Sequence, residues 1–417
     1  MGTGSIDQLD RHGTRLALVV ALSLPVLVIV SRSAAEAVLA GLAVAFLLRV
    51  VLLRDWSPLA EPWFSVAYAY WGWLVLTTLL ADAGIHRLFL ALAWLRFPLA
   101  ILAFSSWLLV SEEARRWALR ISGAASGFVA LETWSQFVLG LGLTGVGRAV
   151  EGYLTGPFTR PRVGTYLLTV MWPPLLAAAA SLARRGGVRL ALGGLLIAFA
   201  VGAVLLSGQR VPTLLTLGVL VAAGLLLAPL RRPVALALLA AAILAFASPV
   251  LAPETFHRYA EMLPLQLAGF PDSHYGQILA RSLALHEAAP WFGHGVEAFR
   301  FLCREERFLI GWGGQGDGGG QGICVPHPHN FYLEALLDGG WIGLALFTLF
   351  QVLLLAGALR EPRALMDDPV RLGLVLSMLA AAWPIASMNA YAGIDAAALR
   401  CLVAGWALAL ARAPSAR

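Results

Sequence analysis

The sequence predicts an all-α polytopic membrane protein with about twelve transmembrane helices and one large, partly helical loop outside the membrane. Of its 417 residues 59% are hydrophobic and only 13% are charged, with a mean hydropathy of +0.77. A soluble domain carries about a quarter charged residues, so this composition is typical of a membrane protein. Apolar runs of about 20 residues, the length that crosses a bilayer, recur along the chain. Arginines lie in alternate breaks between these runs.

Twelve apolar runs have the length of membrane spans. They lie near residues 15–31, 34–53, 62–81, 87–110, 118–141, 163–183, 188–206, 211–229, 233–251, 331–359, 371–391 and 394–411. The break at 207–210 is so short that its two flanking runs could instead form one re-entrant hairpin. The first run lacks a small-residue cleavage site after it, so we expect a retained helix and not a signal peptide.

These runs divide the chain into three parts. We expect an N-terminal transmembrane bundle of about nine spans over 1–251, a loop domain over 252–330, and C-terminal transmembrane helices over 331–417. A loop of that length inside a compact protein is usually functional.

Basic residues predict the orientation of the chain. Every basic side chain is an arginine, and the net charge is +6. The positive-inside rule places both termini and alternate short loops in the cytoplasm, so the charge indicates topology and not nucleic-acid binding. The arginines that carry this prediction are Arg11, Arg15, Arg49, Arg54, Arg115, Arg116, Arg120, Arg184, Arg185, Arg189, Arg231, Arg232, Arg360, Arg363, Arg371, Arg412 and Arg417.

The loop domain would then lie outside, in an oxidising space. A disulfide between Cys303 and Cys324 is plausible there, with two free thiols as the alternative. Such a bond would stabilise the loop by about 3 kcal/mol. Residues 274–289 have apolar side chains at helical spacing and predict a short amphipathic helix. The glycine-rich stretch 311–322 predicts a flexible lobe, and it cannot be a phosphate-binding loop that ends in lysine.

Other arginines lie in the outside segments, against the topological trend. They are Arg148, Arg160, Arg162, Arg210, Arg258, Arg281, Arg300, Arg304 and Arg307. Arginine suits phosphate and pyrophosphate because its planar fork donates two hydrogen bonds and stays charged. Pairing with loop acids is the alternative, favoured for Arg300, Arg304 and Arg307, with Glu254, Glu287, Glu305 and Glu306 as partners. Arg210 has no acid nearby in sequence and begins an apolar helix, so it is a functional candidate.

A histidine and an asparagine, His329 and Asn330, stand where the loop enters an apolar helix. Neutral imidazole titrates near physiological pH, which suits a general base. A metal site at His327 and His329 is disfavoured because Pro328 restricts both backbones and neither a cysteine nor a carboxylate cluster has ligand spacing nearby. We therefore expect neither a metal nor another cofactor.

Four of these features together resemble the O-antigen ligase and polymerase superfamily of bacterial envelope glycosyltransferases. The family pattern has His, then Asn, Ser or Gln, then nine residues and Gly-x-x-Gly at the end of a large periplasmic loop. In this chain the matching residues are His329, Asn330, Gly340 and Gly343. A second family pattern, Arg-x-x-x-Leu, is met by Arg210 to Leu214, and Arg281 corresponds to the family's loop arginine. Residues 290–299 match a third pattern, Pro-x-x-Gly-x-Gly-x-x-x-Phe. The resemblance covers about residues 140–350, and the N-terminal third matches only in hydropathy.

One segment departs from the family pattern. Family members often read Gly-Thr-Phe-x-Asn-Pro-Asn before the sixth span, whereas this chain reads GPFTRPRVG over 156–164. Arg160 and Arg162 therefore stand where asparagines are common, which adds cationic contacts or marks a different substrate.

The resemblance implies an inner-membrane enzyme that takes a glycan from undecaprenyl pyrophosphate at the periplasmic face. His329 would accept the proton of the acceptor hydroxyl, and the anomeric centre would invert. Arg210 and Arg281 would stabilise the leaving pyrophosphate, supported by substrate-binding residues Arg148, Arg160 and Arg162. Asn330 would orient the imidazole or the sugar, or cap the helix. Gly340 and Gly343 would allow close helix packing.

The acceptor is left open. A ligase uses a lipid A–core sugar, a polymerase uses another lipid-linked repeat, and a protein O-glycosylating relative uses a protein. The expected partners are these glycan substrates and membrane lipid, without nucleotide or nucleic acid. A polysaccharide lipid flippase or transporter is the alternative from another class, because Arg96 and Arg400 fall inside spans. A structural membrane scaffold is a further alternative.

Overall fold

The structure of the chain, a computed structural model, describes residues 3–149, 152–305, 308, 323–385, 391–393 and 397–413. These residues are helical or irregular, apart from one isolated bridge between Leu141 and Gly147. The all-helical prediction is therefore confirmed for the described chain. The predicted glycine-rich lobe at 311–322 and Arg307 lie outside the described residues.

Twelve α-helices precede the loop within the described ranges 3–149 and 152–251. They are α1 (Thr3–Leu22), α2 (Leu24–Val30), α3 (Arg32–Leu53), α4 (Pro62–Leu80), α5 (Gly84–Ala93), α6 (Arg96–Ala103), α7 (Glu112–Leu139), α8 (Val163–Val170), α9 (Trp172–Arg184), α10 (Gly187–Leu206), α11 (Arg210–Leu226) and α12 (Arg231–Leu251).

The described part of the loop region, residues 252–330, contains four further α-helices and a π-helical turn at His257–Met262. Its α-helices are α13 (Pro253–Phe256), α14 (Leu263–Ala268), α15 (His274–Ala288) and α16 (Ala298–Leu302). Among the residues described after the loop region there are three α-helices, namely α17 (Phe331–Ala358), α18 (Pro369–Ala381) and α19 (Ala397–Arg412). The amphipathic helix predicted at 274–289 is thus α15.

Local sequence explains where several helices begin and end. The hydroxyl of Ser111 accepts a hydrogen bond from the Ala114 amide and caps α7, whose first turn also carries two acidic residues. The same helix ends at Gly140 in the left-handed conformation, φ 78°. At α18, Asp368 caps the amides of Val370 and Arg371.

Helix length supports fewer membrane spans than the hydropathy of the sequence predicts. Every predicted apolar run contains a helix, but in the described part of the chain six helices are long and apolar enough to span. Two pairs, bent by 46° between α1 and α2 and by 62° between α8 and α9, raise this number to eight if each pair crosses once. The chain is therefore an all-helical, multi-pass membrane protein, and twelve spans remain a prediction.

An aromatic cluster fills the centre of the bundle. Tyr391 lies against Trp94, Phe347 and Phe350, with ring centroids 6.0, 5.2 and 6.2 Å away. Tyr70 adds contacts of 5.0 Å to Trp94 and 5.4 Å to Phe347. Aromatic pairs at these separations contribute about 0.5–1.5 kcal/mol each beyond buried area. The cluster joins α4, the chain around Trp94 and α17.

The loop region has a small core of its own. A disulfide joins Cys303 to Cys324, and its neighbours Ile278 and Phe299 are buried with Leu337 of α17. The loop region is thus folded against the beginning of α17 and is not an open connector.

Candidate functional site

His329 occupies a tight turn directly before α17. Its φ is +57°, a left-handed value that is uncommon for a residue with a side chain. The next residue, Asn330, caps α17 by accepting the amides of Tyr332 at 2.9 Å and Leu333 at 3.0 Å. The turn and the cap together fix where the imidazole leaves the backbone.

The His329 imidazole is half-buried among other rings. The His327 ring centroid is 4.4 Å away and that of Tyr275, from α15, is 5.8 Å away. Burial, with the charges of His327 and His274, lowers the pKa of His329 to about 4. The imidazole is therefore neutral at physiological pH, and it is a weaker base than an ordinary histidine, which titrates near that pH.

The oxygen and the nitrogen of the Asn330 side-chain amide both make hydrogen bonds. Its oxygen caps α17, and its nitrogen donates to the Pro384 carbonyl at 2.7 Å. The contacts of the oxygen fit the helix-capping role, and the contact of the nitrogen ties the cap to the chain after α18.

Glycines let the start of α17 approach the loop closely. Gly340 has φ +63° inside the helix, and a β-carbon there would lie 2.3 Å from the Trp291 carbonyl. At Gly343 a β-carbon would lie 2.9 Å from the Ala335 carbonyl oxygen. The Trp73 indole donates to the Gly339 carbonyl at 2.7 Å, which fastens α4 to the same bend. Packing therefore requires glycine at both positions of the Gly-x-x-Gly motif.

Residues 290–299 hold the loop region against the bundle through backbone contacts, and we call this segment the clamp. Gly293 and Gly295 have φ +69° and +77°, and β-carbons there would lie within 2.7 Å of the Asp338 and Thr78 backbones. The Asp338 carboxylate accepts the amides of Glu297 at 3.1 Å and Ala298 at 2.9 Å. These contacts hold the segment against α17 and α4.

Arg87, at the start of α5, completes the clamp, and the sequence analysis did not single it out. Its guanidinium donates to the carbonyls of His294 at 2.6 Å, Val296 at 2.8 Å and Gly295 at 3.0 Å. In the sequence, Arg87 is a charged residue at the edge of an apolar run, and Asp338 is a carboxylate inside one. These were the features that could have indicated a role for the two residues.

Arg281 lies inside the loop region. The residue has 0% exposed surface, and its guanidinium donates to the Cys303 carbonyl at 3.0 Å. Burial lowers its pKa. Arg281 thus contacts the disulfide-linked segment, while the N-terminal end of the same helix carries Tyr275 against His329.

Arg210 is half-buried at the first turn of α11, where it donates to the side-chain oxygen of Gln266. The preceding residue, Gln209, joins this turn to the segment before α8. Its oxygen accepts the Gly164 amide at 2.6 Å, and its nitrogen donates to the Pro161 carbonyl at 2.9 Å. The structure therefore places the Arg-x-x-x-Leu motif beside the segment that departs from the family pattern.

The three remaining candidate arginines lie at different places around that segment. Arg148 is exposed and donates to the carbonyls of Gln136 at 3.2 Å and Phe137 at 2.8 Å, so it binds the C-terminal end of α7. Arg160 is exposed, and Arg162 is half-buried directly before α8.

The loop arginine Arg300 pairs with an acid, as expected, although the partner is Glu297 at 3.1 Å. Within the ranges that the structure describes, histidine, cysteine, aspartate and glutamate form no group of three that could hold a metal ion.

An apolar cavity of about 210 Å³ opens beside the capped end of α17. Phe331 and Tyr332 line it from α17, Trp383 and Pro384 from the chain just after α18, and Val403 from α19. One of its lining residues, Pro384, accepts a hydrogen bond from Asn330.

Comparison with known proteins links these features to one family. Residues 195–348 match the family model described as O-antigen ligase. The match includes the Arg210 turn, the loop region and the His329 motif through Gly343. No curated protein matches the chain.

Proposed function

We propose that the chain, whose residues 195–348 match the O-antigen ligase family model, is a membrane glycosyltransferase of the ligase type. It moves a glycan from an undecaprenyl-pyrophosphate carrier to an acceptor hydroxyl, with a lipid A–core sugar as the acceptor. The observation that carries the proposal is the half-buried, neutral His329 imidazole, held by the Asn330 cap beside the loop region.

The proposed reaction is a single displacement. The acceptor oxygen attacks the anomeric carbon while His329 takes its proton. The bond from that carbon to the phosphate oxygen breaks, and the electron pair leaves with the lipid pyrophosphate. Attack opposite the leaving group inverts the anomeric centre. A positioned general base contributes about 10²–10⁴-fold to such a rate.

Arg210 is the proposed cation for the leaving group. Its half-buried guanidinium lies at a helix start, where fixed positive charge stabilises a departing anion. Arg160 and Arg162 are proposed to contact the donor from the neighbouring segment. Arg148 and Arg281 donate hydrogen bonds to backbone carbonyls of the protein. These contacts support a role in positioning the walls of the site and not in direct contact with the donor.

The apolar cavity beside α17 supports a lipid-linked donor. Its walls of Phe331, Tyr332 and Trp383 suit a prenyl segment, which would keep the pyrophosphate near the capped helix end. The arginine pattern supports an inner-membrane location with both termini cytoplasmic and the loop region periplasmic.

The His329→Ala variant tests the proposal in a reconstituted system with donor and acceptor. We expect the wild-type protein to transfer glycan without ATP or added metal, and the variant to lose at least about a hundredfold in rate because the base is gone. His86→Ala is a matched control, since His86 is exposed. Unchanged transfer by His329→Ala, with normal expression and folding, contradicts the role of the base.

Two outcomes separate the alternatives. A polymerase would extend one lipid-linked repeat with another, so a knockout would leave a core bearing one repeat instead of a bare core. A flippase would move lipid between leaflets without forming a glycosidic bond.

One of the two intramembrane arginines that favoured transport, Arg96, pairs with Glu36 at 3.2 Å, which fits a structural contact.

A further inference from the structure

A second guanidinium, that of Arg258, lies against the turn between α10 and α11. Its central carbon is 3.3 Å from the centroid of the Tyr153 ring. Gly208 of the turn has φ +74°, and a β-carbon there would lie 2.7 Å from Nη1 of Arg258. Arg258 is thus in contact with the turn that also carries Arg210.

The segment that follows Arg258 is fastened to the end of α10 and to the start of α11. The Tyr259 hydroxyl lies 2.8 Å from the Thr213 hydroxyl and donates to the Leu205 carbonyl at 3.4 Å. Seven residues later, Gln266 accepts the hydrogen bond from Arg210. These contacts fix the positions of the two arginines relative to each other.

The two positive charges act on one hydroxyl. Burial raises the pKa of Tyr259 to about 12, while the charges of Arg210 and Arg258 act to lower it. Arg210 and Arg258 are thus both close enough to Tyr259 to influence its hydroxyl electrostatically.

Neither charge is balanced by a carboxylate of the described chain. Across the residues that the structure describes, no ion pair includes Arg210 or Arg258. Of the nearest acids in sequence, Glu261 contacts His257 at 2.6 Å. Glu254 lies beside Gly152, next to Tyr153, and in the described part of the chain it makes no ion pair with Arg258. Two half-buried like charges repel each other, so an anion between them would be strongly attracted.

We propose that Arg258 is a second binding residue for the donor pyrophosphate, which it shares with Arg210. The inference rests on the proposed function and extends it to a residue outside the Arg-x-x-x-Leu and loop-arginine motifs. Stacking on Tyr153 covers one face of the Arg258 guanidinium and leaves the in-plane N–H groups available to phosphate oxygens. A pyrophosphate offers two anionic groups, one for each arginine.

The test compares Arg258→Gln with Arg300→Gln in the full-length protein. Arg300 is a matched control, because it is an exposed loop arginine already paired with Glu297. We expect Arg258→Gln to raise the donor KM about 10- to 100-fold, the usual effect of losing hydrogen bonds to a charged group. The acceptor KM and the behaviour of Arg300→Gln should match those of the wild type.

Binding of inorganic pyrophosphate gives a readout that needs no transfer. We expect pyrophosphate to bind the purified protein, and Arg210→Gln and Arg258→Gln each to weaken that binding, with Arg300→Gln unchanged. Tyr153→Phe should keep the binding and Tyr153→Leu should weaken it, because only the ring supports the guanidinium. Thermal unfolding establishes that each variant is folded, and Arg258→Lys replaces Arg258→Gln if the latter is not.

The outcomes separate the two proposals. If glycan transfer is absent but pyrophosphate binding depends on both arginines, the proposed function fails and the anion site stands. If the wild type transfers glycan while the Arg258 variant keeps both its donor KM and its pyrophosphate affinity, the inference is overturned. It is also overturned if the wild type binds no pyrophosphate and the donor KM of the variant is unchanged.

Discussion

At the scale of single residues, the burial of His329 determines how its chemistry responds to pH. A general base works only while it is unprotonated. Because the pKa of His329 is lowered to about 4, the neutral form is lost only as the pH falls through that value. An ordinary histidine would lose half of its neutral form at about pH 6.5.

We therefore predict a transfer rate that stays level from about pH 8 to 5.5 and declines toward pH 4, as measured by kcat/KM, which reports on the free enzyme. The charge of His327 contributes to the low pKa of His329. Replacing His327 with glutamine should accordingly move the acidic decline to higher pH. A decline centred near 6.5 in the wild-type protein would mean that another group limits the rate.

At the same scale, Arg281 illustrates what sequence reasoning could not reach. The periodicity of 274–289 predicts the helix, and the sequence indicates Arg281 as an arginine outside the membrane that could contact the substrate. In the structure this side chain is fully buried, because the segment that includes Cys303 covers that face of α15. The pattern of one helix contains no information about which later segment packs over it.

At the scale of secondary-structure elements, the bend in α17 depends on Gly340. An alanine there would need both a left-handed backbone and a β-carbon 2.3 Å from the Trp291 carbonyl. We predict that Gly340→Ala destabilises the folded protein by at least about 1–3 kcal/mol, the usual cost of such a conformation. Thermal unfolding in detergent measures the change.

Gly41, within α3, provides the control for this prediction. A β-carbon at Gly41 meets nothing within 4 Å, so Gly41→Ala should leave the stability unchanged or raise it slightly. Equal thermal stability of the two variants would show that the α17 bend tolerates a side chain.

The same elements show how far the sequence could predict the fold. Apolar runs identified the helices, and the spacing from His329 to Gly343 identified the entry into α17. The clamp that holds this entry was missed because its members are far apart in the chain: Arg87 donates to carbonyls 207 to 209 residues later. Hydropathy also could not show that α18 is only 13 residues long, too short to span alone.

At the scale of the whole molecule, the loop region and the bundle are stabilised differently. The bundle is held by its apolar and aromatic core, whereas the loop region combines a small core with the disulfide between Cys303 and Cys324. The cysteines are 21 residues apart, and closing such a loop contributes about 3 kcal/mol by restricting the unfolded chain. Loss of the disulfide should therefore affect the loop region and leave the bundle folded.

We predict that Cys303→Ser makes the loop region sensitive to limited proteolysis and lowers glycan transfer, while helix content and thermal unfolding of the bundle remain close to the wild type. The physical reason is that Arg281 donates to the Cys303 carbonyl on α15, and the same helix places Tyr275 against His329. Thus a loosened disulfide segment would disturb the imidazole through one helix. Cys401→Ser is the matched control, because Cys401 is a buried free thiol of α19 and takes no part in the loop region. Loss of helix content in Cys303→Ser would show instead that the bundle depends on the loop region for its folding.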